Sequence, residues 1–211
     1  LGVGSHPWWV ADGRVGQTDV DLVAELAAEA PLVGEVGLDF NPARSNAAGN
    51  EAQVRALTRI CVAAAAGAGG GPAGQRAISL HAVRSAGACL DVLEATGAAA
   101  RCRCVMHWFS GSSDELGRAL RLGCSFSVGE RMLATRRGRE YARQLPAARL
   151  LLETDLPDGA GQGVGAEGLL ASLDRALTAL AQARGVDMDE LAATLTANAR
   201  ALADGVCTLA V

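Results

Sequence analysis

Short apolar runs that stop on a polar or charged residue recur along the chain, and the stretches between them carry apolar residues at helical spacing. Leu1-Gly2-Val3-Gly4-Ser5 stops at His6, Ala77-Ile78-Ser79-Leu80 stops at His81, and Val105-Met106 stops at His107 before breaking on Ser110-Gly111. Residues 31–39 form a further run that carries Glu35 and ends on Asp39, residues 124–129 another, and residues 149–157 a last one that ends in acids. These six runs predict strands. Between them lie predicted helices: one that Thr18 or Asp19 would cap, running to about residue 30 with Val20, Leu22, Val23 and Leu26 inward, then residues 51–66, 84–95, 112–122, 135–144, 166–184 and 187–203. Pro7-Trp8-Trp9 and residues 41–50 read as loops, and residues 67–74 as a glycine-rich connector that follows a helix and has no Lys, unlike a phosphate loop.

Near-continuous apolar strands alternating with helices argue for a parallel sheet covered by helices. An open doubly wound sheet would accommodate six strands. Functional groups spread over the ends of at least four of them suit a (β/α) barrel of the TIM type better, because a barrel brings all strand ends to one mouth. The expected architecture is therefore α/β, one barrel domain over residues 1–211, N-terminally incomplete. A barrel of this type wants about eight strands, so the remainder is expected upstream of Leu1 and in the weakly patterned region after Pro157. That the chain opens on Leu inside a strand-like run agrees with missing upstream sequence.

Half of the residues are hydrophobic, which excludes disorder in a chain of 211 residues. No apolar run approaches the ~18 residues of a membrane span, and no signal peptide opens the chain, so a soluble, cytoplasmic protein with no membrane partner is expected. The net charge of −4 and pI near 5.4 mean that a nucleic-acid partner would be met by a local basic patch. All 19 basic residues are arginine, which reflects codon bias rather than function. The six cysteines contain no CxxC pair and read as reduced core thiols, although Cys102 and Cys104 would share a strand face.

Glu35 needs a reason to be in a buried strand, since an unpaired carboxylate there costs several kcal/mol. Together with His81, His107 and Asp155 it makes a set of two imidazoles and two carboxylates, one per βα unit. Mixed nitrogen and oxygen ligands suit Zn, Mn or Fe, and with water also Mg, and such a site activates water and polarises a phosphoryl or carbonyl oxygen. Singly, each residue has an ordinary structural explanation: a satisfied polar group, a partner of an arginine, a helix cap. Jointly the four point to metal-assisted hydrolysis.

Gly4-Ser5-His6-Pro7, Gly34-Glu35-Val36-Gly37-Leu38-Asp39, Leu80-His81 with Arg84, His107-Trp108-Phe109-Ser110-Gly111-Ser112 and Glu153-Thr154-Asp155-Leu156-Pro157 resemble, in order, the successive motifs of the TatD family of metal-dependent deoxyribonucleases, and Asn198 resembles its late Asn. The wording around His107, with Met132-Leu133 and Gly138-Arg139 following, is most similar to the branch associated with antiphage defence operons, which implies defence-complex partners. The resemblance implies one or two divalent ions (Mg, Mn or Zn). Glu35 would bridge them, His81 and His107 would complete one site, and Asp155 would hold or activate the nucleophilic water. His6 would contact substrate or leaving group, and Arg84, Trp108 and Ser110 would bind substrate. The implied reaction is cleavage of DNA phosphodiester bonds, as a 3'-5' exonuclease on single-stranded ends. Arg84, Arg131, Arg136, Arg137 and Arg139 would form a basic rim, with Trp8, Trp9 and Trp108 stacking bases. The departure is the family's His-x-His pair, which this sequence does not contain. It keeps two alternatives in view: a non-catalytic or one-metal member acting in a larger assembly, and a barrel hydrolase of a small amide or ester.

Overall fold

The computed structural model describes residues 2–68, 76–156 and 163–207, with side chains to residue 204. Contacts divide it into two compact units, residues 1–125 with 201–211 and residues 126–200.

The first unit begins with a bridge rather than a strand. Val3 donates its N–H to Leu32 O (3.0 Å) and accepts from Gly34 N (2.8 Å), and only that one parallel pairing forms. The expected loop at Pro7-Trp8-Trp9 is instead helix α1 (Pro7–Ala11). Proline at its first position presets the backbone, and Nδ1 of His6 caps it by accepting from Trp8 N at 3.3 Å. Helix α2 (Gln17–Ala27) is capped two positions before Thr18: Gly16 is the N-cap, the Asp19 carboxylate accepts from its N–H at 2.9 Å, and Leu22 and Leu26, expected inward, are exposed while Val20 is buried. Strand β1 (Leu32–Asp39) follows, then α3 (Ala47–Gly67), which Asn46 caps through Gly49 N. Next come β2 (Ala77–Val83), α4 (Ala86–Ala95), α5 (Ala98–Arg101), β3 (Arg103–His107) and α6 (Ser113–Arg121). The expected connector falls largely outside the described residues. A capping box starts α6, with Ser112 and Glu115 serving each other, and the same Glu115 accepts from Gly87 N at the start of α4 (2.6 Å).

Strands β1, β2 and β3 pair in parallel in that order, so their carboxyl ends lie side by side. The register is in step from Val36 onward, with Gly37 opposite His81, after an irregularity between Val33 and Val36. Glycines make that irregularity feasible. Gly34 and Gly37 have φ of 152° and 143°, and a β-carbon on Gly37 would come within 2.1 Å of His81 O. Leu38, Leu57, Ile60, Ile78, Leu80, Leu90 and Met106 are fully buried around this sheet.

The second unit carries β4 (Ser125–Val128) from Phe126, α7 (Glu130–Ala134), α8 (Arg136–Gln144), β5 (Leu150–Leu152), α9 (Ala166–Arg184) and α10 (Met188–Cys207) as far as Arg200, with β4 and β5 parallel. The last strand is shorter than expected: β5 ends at Leu152, Glu153 N makes one more bond to Val128 O (3.1 Å), and Pro157 and Asp158 lie outside the described residues. Helix α9 stops at Gly185, whose φ of 64° suits only glycine well. Among the described residues, no helix is long and apolar enough to cross a membrane.

Candidate metal centre

Strand β1 supplies two acids. The irregularity at Gly34 turns Glu35 toward β2, where its Oε1 lies 2.8 Å from His81 Nδ1. Asp39, 2% exposed at the end of the same strand, places Oδ2 3.3 Å from the other nitrogen of His81, Nε2. His81 is thus held between two carboxylates on one neighbouring strand. His6, at the start of α1, brings Nε2 to 4.0 Å from Glu35 Oε2, and its ring packs edge-on to His81 with centroids 4.9 Å apart. From the end of β3, His107 stacks on the opposite neighbour, its ring centroid 6.5 Å from that of His81 at 26°.

His6, Glu35 and His81 each offer a donor atom, and these atoms lie within 4.8 Å of one another. Two imidazoles and a carboxylate form a set that suits Zn, Mn or Fe and leaves coordination positions for water or substrate. Electrostatics keep the ligands in their binding forms. Burial lowers the pKa of His6, with His81 and His107 adding to the effect and Glu35 and Asp39 opposing it, so its imidazole stays neutral to lower pH than usual. For Glu35 burial acts upward, but its close contact with His81 and the surrounding His107, His81 and His6 outweigh it, leaving the carboxyl below its ordinary range.

Of the four expected ligands Glu35, His81, His107 and Asp155, the tight group holds Glu35 and His81, with His6 as its third member. His6, expected to meet substrate, joins Glu35 and His81, while the His107 ring lies 6.5 Å from that of His81. Asp155 lies past β5 in the second unit, half-buried, with φ of 54°. Of the expected substrate residues, Arg84 is exposed and directly follows β2, Trp108 directly follows β3, and Ser110 Oγ lies 3.5 Å from Ala82 O. Arg84 and Trp108 have φ of 55° and 37°. Left-handed backbone at non-glycine residues costs of order 1–3 kcal/mol each and clusters at functional sites.

Three residues of the site had no assigned role in the sequence reading. Asp39 is buried beside His81, Gln53 is buried and bonds to the Asp39 backbone, and Arg44 lies over the Trp8 ring, its guanidinium 3.6 Å from the centroid. Only the acid ending the β1 run was a signal. Of the expected basic rim, Arg139 is engaged with the carbonyls of Leu133 and Ala134 (both 2.9 Å), and Arg137 with the Tyr141 hydroxyl. The five described cysteines are buried free thiols, and burial pushes Cys61 and Cys89 up to about 12, which suits core packing rather than reactivity.

Comparison with known proteins gives a consistent picture. The family model described as TatD related DNase matches residues 1–204. The "3'-5' ssDNA/RNA exonuclease TatD" of Erwinia amylovora is 33% identical over 187 residues, an alignment covering 83% of this chain and 68% of that protein. The protein of the same name from Pantoea vagans is 30% identical, with 94% and 75% covered. Among solved structures, the TatD homolog YJJV from Escherichia coli superposes with a TM-score of 0.68 at 25% identity, over 95% of this chain and 75% of that one. A hydrolase TatD family protein from Entamoeba histolytica gives 0.74 at 16% identity, over 95% and 73%, a likeness of fold. The architecture is accordingly the α/β fold of TatD-type hydrolases, in the TIM-barrel class.

Proposed function

The chain belongs to the TatD family of DNases, and on that premise we propose that it is a metal-dependent hydrolase of DNA phosphodiester bonds, acting as a 3'-5' exonuclease on single-stranded ends. The observation that carries this reading is the convergence of His6, Glu35 and His81 donor atoms within 4.8 Å.

We assign one divalent ion, Mg, Mn or Zn, to that group. When bound, it would act as a Lewis acid on the phosphoryl oxygen and favour ionisation of water. Glu35 is assigned with both imidazoles as a ligand, and His107, whose ring centroid lies 6.5 Å from that of His81, is assigned to the same centre as a further ligand. On its motif, Asp155 is assigned to orient the attacking water and accept its proton. Arg84, Trp108 and Ser110 are assigned to substrate, a role supported by their positions directly after β2 and β3. The wording of residues 107–112 supports membership of the antiphage-defence branch and partners of that kind.

The test uses single-stranded oligonucleotides labelled at either end, incubated with Mn or Mg. Stepwise release of nucleotides from the 3' end, abolished by EDTA, is expected. Cleavage that survives EDTA would overturn the metal assignment. Hydrolysis of a small ester or amide with oligonucleotides left intact would overturn the nuclease assignment. Bound metal without hydrolysis of any of these substrates would establish a non-catalytic member.

A further inference from the structure

Asp39 is a second acid at the metal centre, outside the tight donor group and buried more deeply than Glu35. It is fixed from several directions. Its N–H donates to Gln53 Oε1 at 2.6 Å, and Gln53 Nε2 returns a bond to Asp39 O at 3.1 Å and another to Ser45 Oγ at 3.0 Å. Asn41 N donates to Oδ1 at 2.9 Å, and the Trp8 indole Nε1–H donates to Oδ2 at 2.5 Å. That same Oδ2 faces His81 Nε2 at 3.3 Å.

We infer that Asp39 is a positioning residue that sets the ring orientation and tautomer of His81. An indole N–H can only donate, so Oδ2 serves as an acceptor, and the His81 nitrogen facing it is the one that carries hydrogen. A neutral ring protonated at Nε2 keeps its lone pair on Nδ1, and Nδ1 is the atom 2.8 Å from Glu35 Oε1. Two acceptors face each other across that gap, and a cation resolves the conflict. Asp39 therefore directs the His81 lone pair toward the point that Glu35 and His6 also address. A carboxylate behind a ligating imidazole commonly holds the tautomer and raises ligand basicity, and its loss lowers metal affinity about 10–100-fold. Trp8 has a part in the same device: its indole occupies Oδ2 from the side, its ring centroid lies 6.0 Å from that of His81, and Arg44 covers its face.

This inference rests on the reading of the site as a metal centre, and two readouts separate them. In the metal-free full chain labelled with 15N, long-range 1H–15N spectra of the imidazoles are expected to show hydrogen on His81 Nε2. A His81 ring with hydrogen on Nδ1 alone would overturn the inference without any variant being made. In the second readout, Mn is titrated into the wild type and D39N. The variant places an N–H₂ where only donors now point, and its Mn Kd is expected to rise about 10–100-fold. Trp8→Phe, which keeps the carboxylate and removes one of its fixing bonds, is expected to give a smaller rise. A folded D39N with Kd within about twofold of wild type, even if its Tm falls, would reduce Asp39 to a structural role and overturn the inference. Absence of Mn binding by the wild type would sink the metal reading instead, and the imidazole spectrum would still decide the tautomer.

Discussion

In the first unit, polar side chains at the strand ends bond to one another: Glu35 and Asp39 to His81, and Trp8 to Asp39. In the second, arginines and a late amide bond to backbone carbonyls. Arg184 reaches Ala142 and Leu145, Arg143 reaches Ala183, and Asn198 Nδ2 donates to Ala147 O and Leu150 O at 2.8 Å each. Carbonyls at the end of a helix or in a turn have no partner of their own and cost free energy if buried unpaired, so these bonds contribute stability. The imidazole and carboxylate cluster contributes differently. It confines acceptors and lone pairs to one place, which a hydrophobic core of equal volume would do without, and which a cation requires. In these two groups, the side chains tied to backbone report on folding, and the imidazole and carboxylate cluster reports on function.

The sharpest way to break that contrast is Glu35→Gln. It keeps the shape of the side chain and removes its charge, so the rate of oligonucleotide cleavage is expected to fall more than about 100-fold, ~3 kcal/mol of transition-state stabilisation. Thermal melting should barely move. A variant that melted early and cleaved normally would reverse the account of this unit.

Gly37→Ala is expected to act on the fold. The new β-carbon would collide with His81 O, and φ of 143° is foreign to alanine. A loss of about 3 kcal/mol in urea denaturation is expected. No loss would mean that β1 and β2 do not approach so closely.

Asn198→Ala leaves two carbonyl partners unserved and should cost about 1–3 kcal/mol while leaving Mn affinity unchanged. Arg139→Ala is a finer test of the same idea, with a cost of about 1 kcal/mol and no change in the salt dependence of DNA binding. An arginine on the DNA path would instead lower the salt slope by about one.

The smallest effect concerns pH. His6 stays neutral below its ordinary 6.5 and Glu35 stays ionised below its ordinary 4.5. Protons compete with the cation only once the lowered values are approached, so Mn affinity should be flat above 6.5 and fall as pH drops through the His6 value. Affinity already falling between pH 8 and 7 would show that the imidazole is not depressed.

Much of this was legible in the sequence. Apolar runs stopping on His81 and His107 mark strands, because a buried strand tolerates few places for an imidazole, whereas the run before His6 makes a single bridge at Val3. Glycines on both sides of Glu35 signal a strand that must bend there. Proline after His6 is a helix-start signal that a loop reading overlooked. The role of Asp39 was not legible, since it depends on Trp8 and Gln53 arriving from other elements. Nor were the duties of the arginines. Arg184 serves carbonyls about forty residues earlier in the chain, and nothing in its local sequence separates it from a solvated or DNA-facing arginine.

The central claim is that His6, Glu35 and His81 form the metal centre. Calorimetric titration of Mn into the full chain and into Glu35→Gln and His6→Ala tests it most directly. Binding of at least one ion per chain is expected for the wild type, with affinity at least about tenfold weaker in each variant; melting of the metal-free Glu35→Gln chain should be unchanged, and that of His6→Ala lowered only by the about 0.5–2 kcal/mol of its lost α1 cap. Equal stoichiometry and affinity in all three would contradict it.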